Sequence, residues 1–144
     1  MIRLSKSCIS EEEKKAVLTV LDSEFLGMGS EVKKFEEELK IFFNTNTLCV
    51  ASGTAALQLA LEACDIGLGD EVLVPSLTYL ASFQSISACS AIPIPCDIKN
   101  LSLQIDLNDA QKKISTKTKA IMPVHYAGHA ENLDKIYLFA KKNS

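Results

Sequence analysis

Apolar residues recur in two rhythms along this chain, and the change of rhythm divides it. Up to about residue 46 they return at helical spacing: Ala16, Val17, Val20 and Leu21, then Val32, Phe35, Leu39 and Phe42. Ser10 followed by Glu11-Glu12-Glu13 marks the first helix start, a capping serine with Glu13 at the reciprocal position. Gly27-Met28-Gly29 interrupts the pattern, and Ser30 is expected to cap a second helix. The charges between its apolar positions, Lys33, Lys34, Glu36, Glu37, Glu38 and Lys40, read as a solvated face.

From Leu48 onward, short apolar runs alternate with longer helical patterns. Leu48 to Ala51, Glu71 to Val74, Ala91 to Pro95 and Lys119 to Val124 are expected strands. Thr54 to about Cys64, Tyr79 to Cys89, Leu107 to Ile114 and Leu133 to Lys142 are expected helices. The helix from Thr54 is apolar almost all round, with Gln58 and Glu62 as its polar stripe, which predicts burial on several sides. Pro93 and Pro95 cannot donate to a ladder, so their strand belongs at a sheet edge. Gly67-Leu68-Gly69-Asp70 reads as a turn, and Asp97 to Asp106 as a turn-rich structural segment. The β-α alternation predicts an α/β fold: a parallel sheet with right-handed crossovers and helices on both faces. Such sheets gather ligands at the carboxyl ends of their strands. Three loops meet that description: Ser52-Gly53-Thr54, Ser76-Leu77-Thr78-Tyr79 and His125-Tyr126-Ala127-Gly128-His129.

The chain's 144 residues are the size of one ordinary domain, and 47% hydrophobic content supplies a core. A net charge of −3 without a basic stripe argues against nucleic acid. The longest uncharged stretch is broken by prolines and serines and does not read as a membrane span. The amino terminus lacks a signal peptide's apolar core, so a cytoplasmic protein is expected. Five cysteines without a C-x-x-C pair read as reduced, mostly packed thiols.

Candidate chemistry begins at Ser52-Gly53-Thr54. A strand–turn–helix arrangement aims free backbone N–H groups, two hydroxyls and the positive end of a helix dipole at one spot. An anion, above all a phosphate, suits that spot. No Walker loop or G-x-G-x-x-G pattern is present. Tyr79, just beyond the next strand, is placed to stack on a flat, electron-poor ring, or else to cover the sheet end half-buried. Together these features suggest a ligand with a phosphate at one end and an aromatic ring beside it. His125 and His129 lie in a loop, and a polar contact from His125 to cofactor or substrate is favoured over a metal. No Ser–His–Asp or paired-carboxylate arrangement is evident.

Four ordered blocks carry a resemblance over nearly the whole chain: Gly27 to Glu36, Ser52 to Leu57, Gly67 to Tyr79 and Thr116 to His125. They resemble the DegT/DnrJ/StrS group of fold-type I, pyridoxal-phosphate-dependent sugar aminotransferases. The resemblance implies a three-layer αβα large domain, here its first part, preceded by two helices. It divides the chain into a helical segment, 1–46, and a cofactor-binding part, 47–144. It implies pyridoxal 5'-phosphate as cofactor, with Ser52, Gly53 and Thr54 at its phosphate and Tyr79 over its pyridine.

The implied activity is amination of a nucleotide-linked keto-sugar with glutamate as donor, in a homodimer. Sugar dehydration on the same scaffold and a non-catalytic binding homologue are the alternatives. The family's Schiff-base lysine and pyridine-pairing aspartate match no position here, so no catalytic residue is assigned and the chain alone is expected to be inactive. The family's sheet order, 3-2-4-5-6-7-1, leaves strand one without a neighbour and strand four with an open edge. A partial chain, poorly stable or prone to associate, is therefore expected. Ser90 stands where the family usually has glycine, and Pro95-Cys96 replaces a more apolar pair; both read as packing changes.

Overall fold

A computed structural model describes residues 5–130 and 132–143. The chain divides into two compact units, one up to Cys49 and one from Val50 onward. In the first, α1 (Glu11–Asp22) begins as the pattern predicts: the Ser10 side chain accepts from the Glu12 amide, and the Glu13 carboxylate accepts from the Ser10 amide. That hydrogen bonding, from the Ser10 side chain foremost, holds the Glu13 carboxyl below the usual range. The second helix, α2 (Ser30–Phe43), corrects one expectation. Ser30 is its first helical residue, and the cap position belongs to Gly29, with no side-chain cap. Neither helix carries a buried residue.

The second unit holds α3 (Gly53–Ala63), β1 (Glu71–Pro75), α4 (Ala81–Ala88), β2 (Ile92–Cys96), α5 (Leu107–Lys113), β3 (Thr118–Ile121) and α6 (Leu133–Lys142). The strands form one parallel sheet in the order β2-β1-β3. This is the 3-2-4 segment of the order the resemblance implies. Strand pleating sends alternate β1 side chains to opposite faces. Val72 and Val74 pack with Leu61, Ile66 and Ile86 beneath α3 and α4. Leu73 packs on the other face with Cys96, Ile105, Ala110 and Phe139, the last two from α5 and α6. The result is the expected αβα sandwich.

Both α3 and α4 stop in the same way. The Ile66 amide reaches the Leu61 carbonyl and the Asp65 amide that of Glu62, with Asp65 at φ 56°. The Ala91 amide reaches Ile86 and the Ser90 amide Ser87, with Ser90 at φ 61°. These are paired left-handed caps, each closed by an apolar contact within one core cluster. The sequence reading of Ser90 as a packing change is therefore corrected. It sits where the backbone favours glycine. Gly69, at φ 85°, makes the expected turn, which Asp70 closes by accepting from the Gly67 amide at 2.9 Å.

The proline strand is an edge, as predicted, and its register shows why. Ile92 donates to Asp70 and Cys96 accepts from Ser76, so even-numbered residues face β1. Pro93 and Pro95 turn their missing donors outward. The outward Pro95 carbonyl accepts from Lys113 Nζ at 2.7 Å, which blunts the edge. On the opposite side, β3 pairs only with β1 among the described residues.

Two expectations fail here. Leu48 to Ala51 forms no strand, and Leu48 is 84% exposed. A strand exists only against a partner, and no other described strand pairs with it. The α3 helix, predicted to be buried on several sides, buries only Leu61, while Leu59 is half exposed. Other boundaries move by a few residues: α4 starts at Ala81 rather than Tyr79, and β3 ends at Ile121. No helix among the described residues is long and apolar enough to cross a membrane. The five cysteines are free.

Candidate functional site

The helix that follows the Ser52 turn presents its amino end, and among the described residues no acceptor reaches its first two amides. Ser52 is its cap, in extended conformation, and its hydroxyl oxygen accepts from the Ala55 amide at 3.1 Å. The Ser52 carbonyl takes the Ala56 amide at 3.0 Å, the first full turn. The amides of Gly53 and Thr54 thus have no acceptor among the described residues, at the positive end of the helix. The Thr54 hydroxyl makes no hydrogen bond among the described residues.

Gly53 has an ordinary backbone conformation, and a β-carbon built on it meets nothing within 4 Å. Neither strain nor crowding by protein atoms calls for glycine. What glycine leaves is open space beside the first turn of α3. A group with phosphate-like oxygens fits that space, and a side chain there would fill it.

α4, which connects the parallel strands β1 and β2, returns from the carboxyl end of the sheet to its amino end, and α3 packs beside it. Cys89, at the foot of α4, lies 3.6 Å from the Gln58 carbonyl of α3 through its Sγ. The Ser52 turn leads into α3, and the β1–α4 loop lies at the carboxyl end of β1. In that loop Tyr79 is 82% exposed, which removes the alternative of a half-buried ring covering the sheet. The loop is braced below the ring: Thr78 Oγ1 lies 2.8 Å from Ser82 Oγ, and the Tyr79 carbonyl accepts from the Ser82 amide.

His125 leaves the end of β3 and opens a single 3-10 turn, Tyr126–Gly128. Its side chain is exposed. Ala127 and Gly128 both take positive φ, 52° and 77°, so the chain reverses within three residues. One contact across the site was not legible in the sequence. Gln104, 3% exposed, donates from Nε2 to the His129 carbonyl at 2.7 Å. No local signal marks a glutamine between Leu103 and Ile105 for such a role.

The segment between Asp97 and Asp106 is structural, as expected. Asp97 and Asp106 close a loop through the 2.8 Å bond from the Asp106 amide, and Asp106 caps α5. Asp109 receives Lys113 and the Asp97 amide, which hold its carboxyl below the usual range. Burial pushes the Cys96 thiol up, which makes it a packing residue rather than a nucleophile.

The chain is 36% identical over 138 residues to GDP-perosamine synthase of Vibrio cholerae, covering 94% of this chain and 38% of that protein. It is 41% identical over 133 residues to the dTDP-3-amino-3,6-dideoxy-alpha-D-galactopyranose transaminase of Aneurinibacillus thermoaerophilus, covering 92% and 37%. Its fold superposes on the PLP form of Streptococcus pneumoniae Spr1654, described as a sugar aminotransferase. There the TM-score is 0.90 at 35% identity, over 98% of this chain and 36% of that one. The chain thus spans little more than a third of each relative's length. Residues 7–144 match the model of one family throughout. With the sheet order and the exposed helix end already in view, that match settles membership: the chain belongs to the DegT/DnrJ/EryC1/StrS aminotransferase family.

Proposed function

We propose that this chain forms the phosphate-gripping part of a pyridoxal-phosphate-dependent aminotransferase that acts on a nucleotide-linked keto-sugar. The observation that carries the reading is the amino end of α3, where the Gly53 and Thr54 amides have no acceptor among the described residues and a Cβ at Gly53 would meet no atom within 4 Å. Those amides bind the cofactor's phosphate, and the Thr54 hydroxyl turns to donate to it. Ser52 caps the helix with one lone pair while its O–H remains available to the same oxygens. Tyr79 offers an exposed ring face in the loop at the carboxyl end of β1, suited to lie on the pyridine. His125 meets the substrate from the β3 loop. When bound, the cofactor supplies the electron sink through which an amino group moves.

Two of the similar proteins are named for nucleotide-linked amino sugars, which supports the substrate class. The family resemblance adds glutamate as donor, a homodimer and a cytoplasmic setting to the reading. No lysine of this chain takes the Schiff-base role, so turnover belongs to a protein of the relatives' length.

Tyrosine emission supplies the test, because the chain has three tyrosines and no tryptophan. Titration with pyridoxal phosphate should quench it, with pyridoxal binding at least ~50-fold more weakly because it lacks the phosphate's charge-assisted hydrogen bonds. Inorganic phosphate should compete. Equal affinity for the two ligands refutes phosphate capture at this turn. Borohydride reduction that fixes the cofactor on one particular lysine refutes the assignment of no Schiff-base lysine.

A further inference from the structure

We propose that Gln104 is a positioning residue: it fixes the turn that carries His125 over the carboxyl end of the sheet. Its effect on substrate rests on the function proposed above; its effect on the turn does not.

The turn closes on itself. The Gly128 amide donates to the His125 carbonyl at 2.9 Å and the His129 amide to Tyr126 at 3.1 Å. Those bonds set its shape but not its place, because both partners lie within the turn. The bond from Gln104 Nε2 to the His129 carbonyl ties it to another segment, 25 residues away in sequence. Gln104 follows β2 and His129 follows β3, and these strands lie on opposite sides of β1. The bond therefore joins the segments that follow the two outer strands of the sheet.

Gln104 is a rigid post for this purpose. Its carbonyl accepts from the Lys99 amide at 2.9 Å. Its neighbour Ile105 is 2% exposed, bridges to Ile98 and packs in the Leu73 cluster. A residue chosen for packing alone would not be an amide. Burial leaves Gln104 Oε1 without a partner, as it does Ser102 Oγ two residues earlier. An unpartnered buried oxygen opposes folding, and methionine would fill similar space without it. The side chain's polar service is the Nε2 donation, and that service holds the turn.

Amide hydrogen exchange measured by NMR on the 144-residue chain tests this. In Gln104→Met, the Gly128 and His129 amides should exchange at least tenfold faster, while those of Leu73 and Val74 stay within twofold. The His125 imidazole proton resonances should move towards their random-coil positions. Unchanged turn amides overturn the proposal, and so does an equal acceleration in β1, which would make Gln104 a general core residue. The wild-type chain gives a second reading that needs no variant. Gln104 side-chain N–H protons should exchange more slowly than those of exposed Gln84, and equal rates overturn the proposal. Pyridoxal phosphate affinity in Gln104→Met should match wild type, because the phosphate turn is untouched. A wild-type chain that binds no pyridoxal phosphate refutes the proposed function alone, and the exchange data still decide the role of Gln104.

Discussion

Replacing Gly53 by alanine separates the anion-site reading from any structural account of that glycine. The residue is the first of α3, its φ is unremarkable, and the added β-carbon meets no protein atom within 4 Å. The fold therefore has no reason to resist Gly53→Ala. Alanine's higher helix propensity, up to about 1 kcal/mol in a helix interior and less at a first position, favours the variant slightly. Ligand binding should move the other way. On the proposed reading, a methyl group would occupy the space from which a phosphate oxygen would accept the Gly53 and Thr54 amides. Losing one charge-assisted hydrogen bond costs about 1.5–3 kcal/mol, which corresponds to a roughly 10- to 150-fold weaker Kd. Thermal unfolding should give an equal or higher midpoint, and titration with pyridoxal phosphate a Kd weakened by at least tenfold. An unchanged Kd refutes the phosphate site at this turn. A lowered midpoint refutes the claim that the space before Gly53 is free of protein constraint.

Ser90→Gly should stabilise the chain by roughly 0.5–1 kcal/mol. It relieves a left-handed backbone at φ 61° that costs a non-glycine residue about 1–2 kcal/mol, less the extra unfolded-state freedom of glycine. Urea midpoints at constant slope check this, and a lower midpoint refutes it. The Asp109–Lys113 pair predicts an acid and an alkaline limb. Lys113, hydrogen-bonded first and then assisted by the Asp97 amide, lowers the Asp109 value, and Asp109 raises that of Lys113. Asp109's contribution is therefore complete above the ordinary aspartate range and is lost as pH falls through its depressed value. The contribution of Lys113 is complete below the ordinary lysine range and is lost as pH rises through its raised value. Asp109→Asn should flatten both limbs in urea melts, and an unaltered pH profile refutes the linkage.

The sequence determined whatever depends on neighbours a few residues apart. The Ser10–Glu13 capping box, the Gly67–Asp70 turn, the helix Leu133–Lys142 and the outward prolines of β2 were legible because each is a local hydrogen-bond or steric arrangement. The family blocks were legible for the same reason, since contiguous residues carry them, and they also gave the 3-2-4 strand order. The Ser52-Gly53-Thr54 turn before a helix was legible in the same way, whereas the exposure of the Tyr79 ring was not, because the sequence left a half-buried ring equally open. Tertiary structure decided what no local pattern encodes. Leu48 to Ala51 has the composition of a strand and forms none, because a ladder needs a second strand whose position is not local. The apolar circumference of α3 predicted burial that its surroundings do not provide, since burial belongs to the pair of packed surfaces and not to one helix. Ser90 revealed its backbone role only when its φ was known. Gln104 acquired a partner 25 residues away that no spacing rule reaches, because chain folding alone brings the segments after β2 and β3 together.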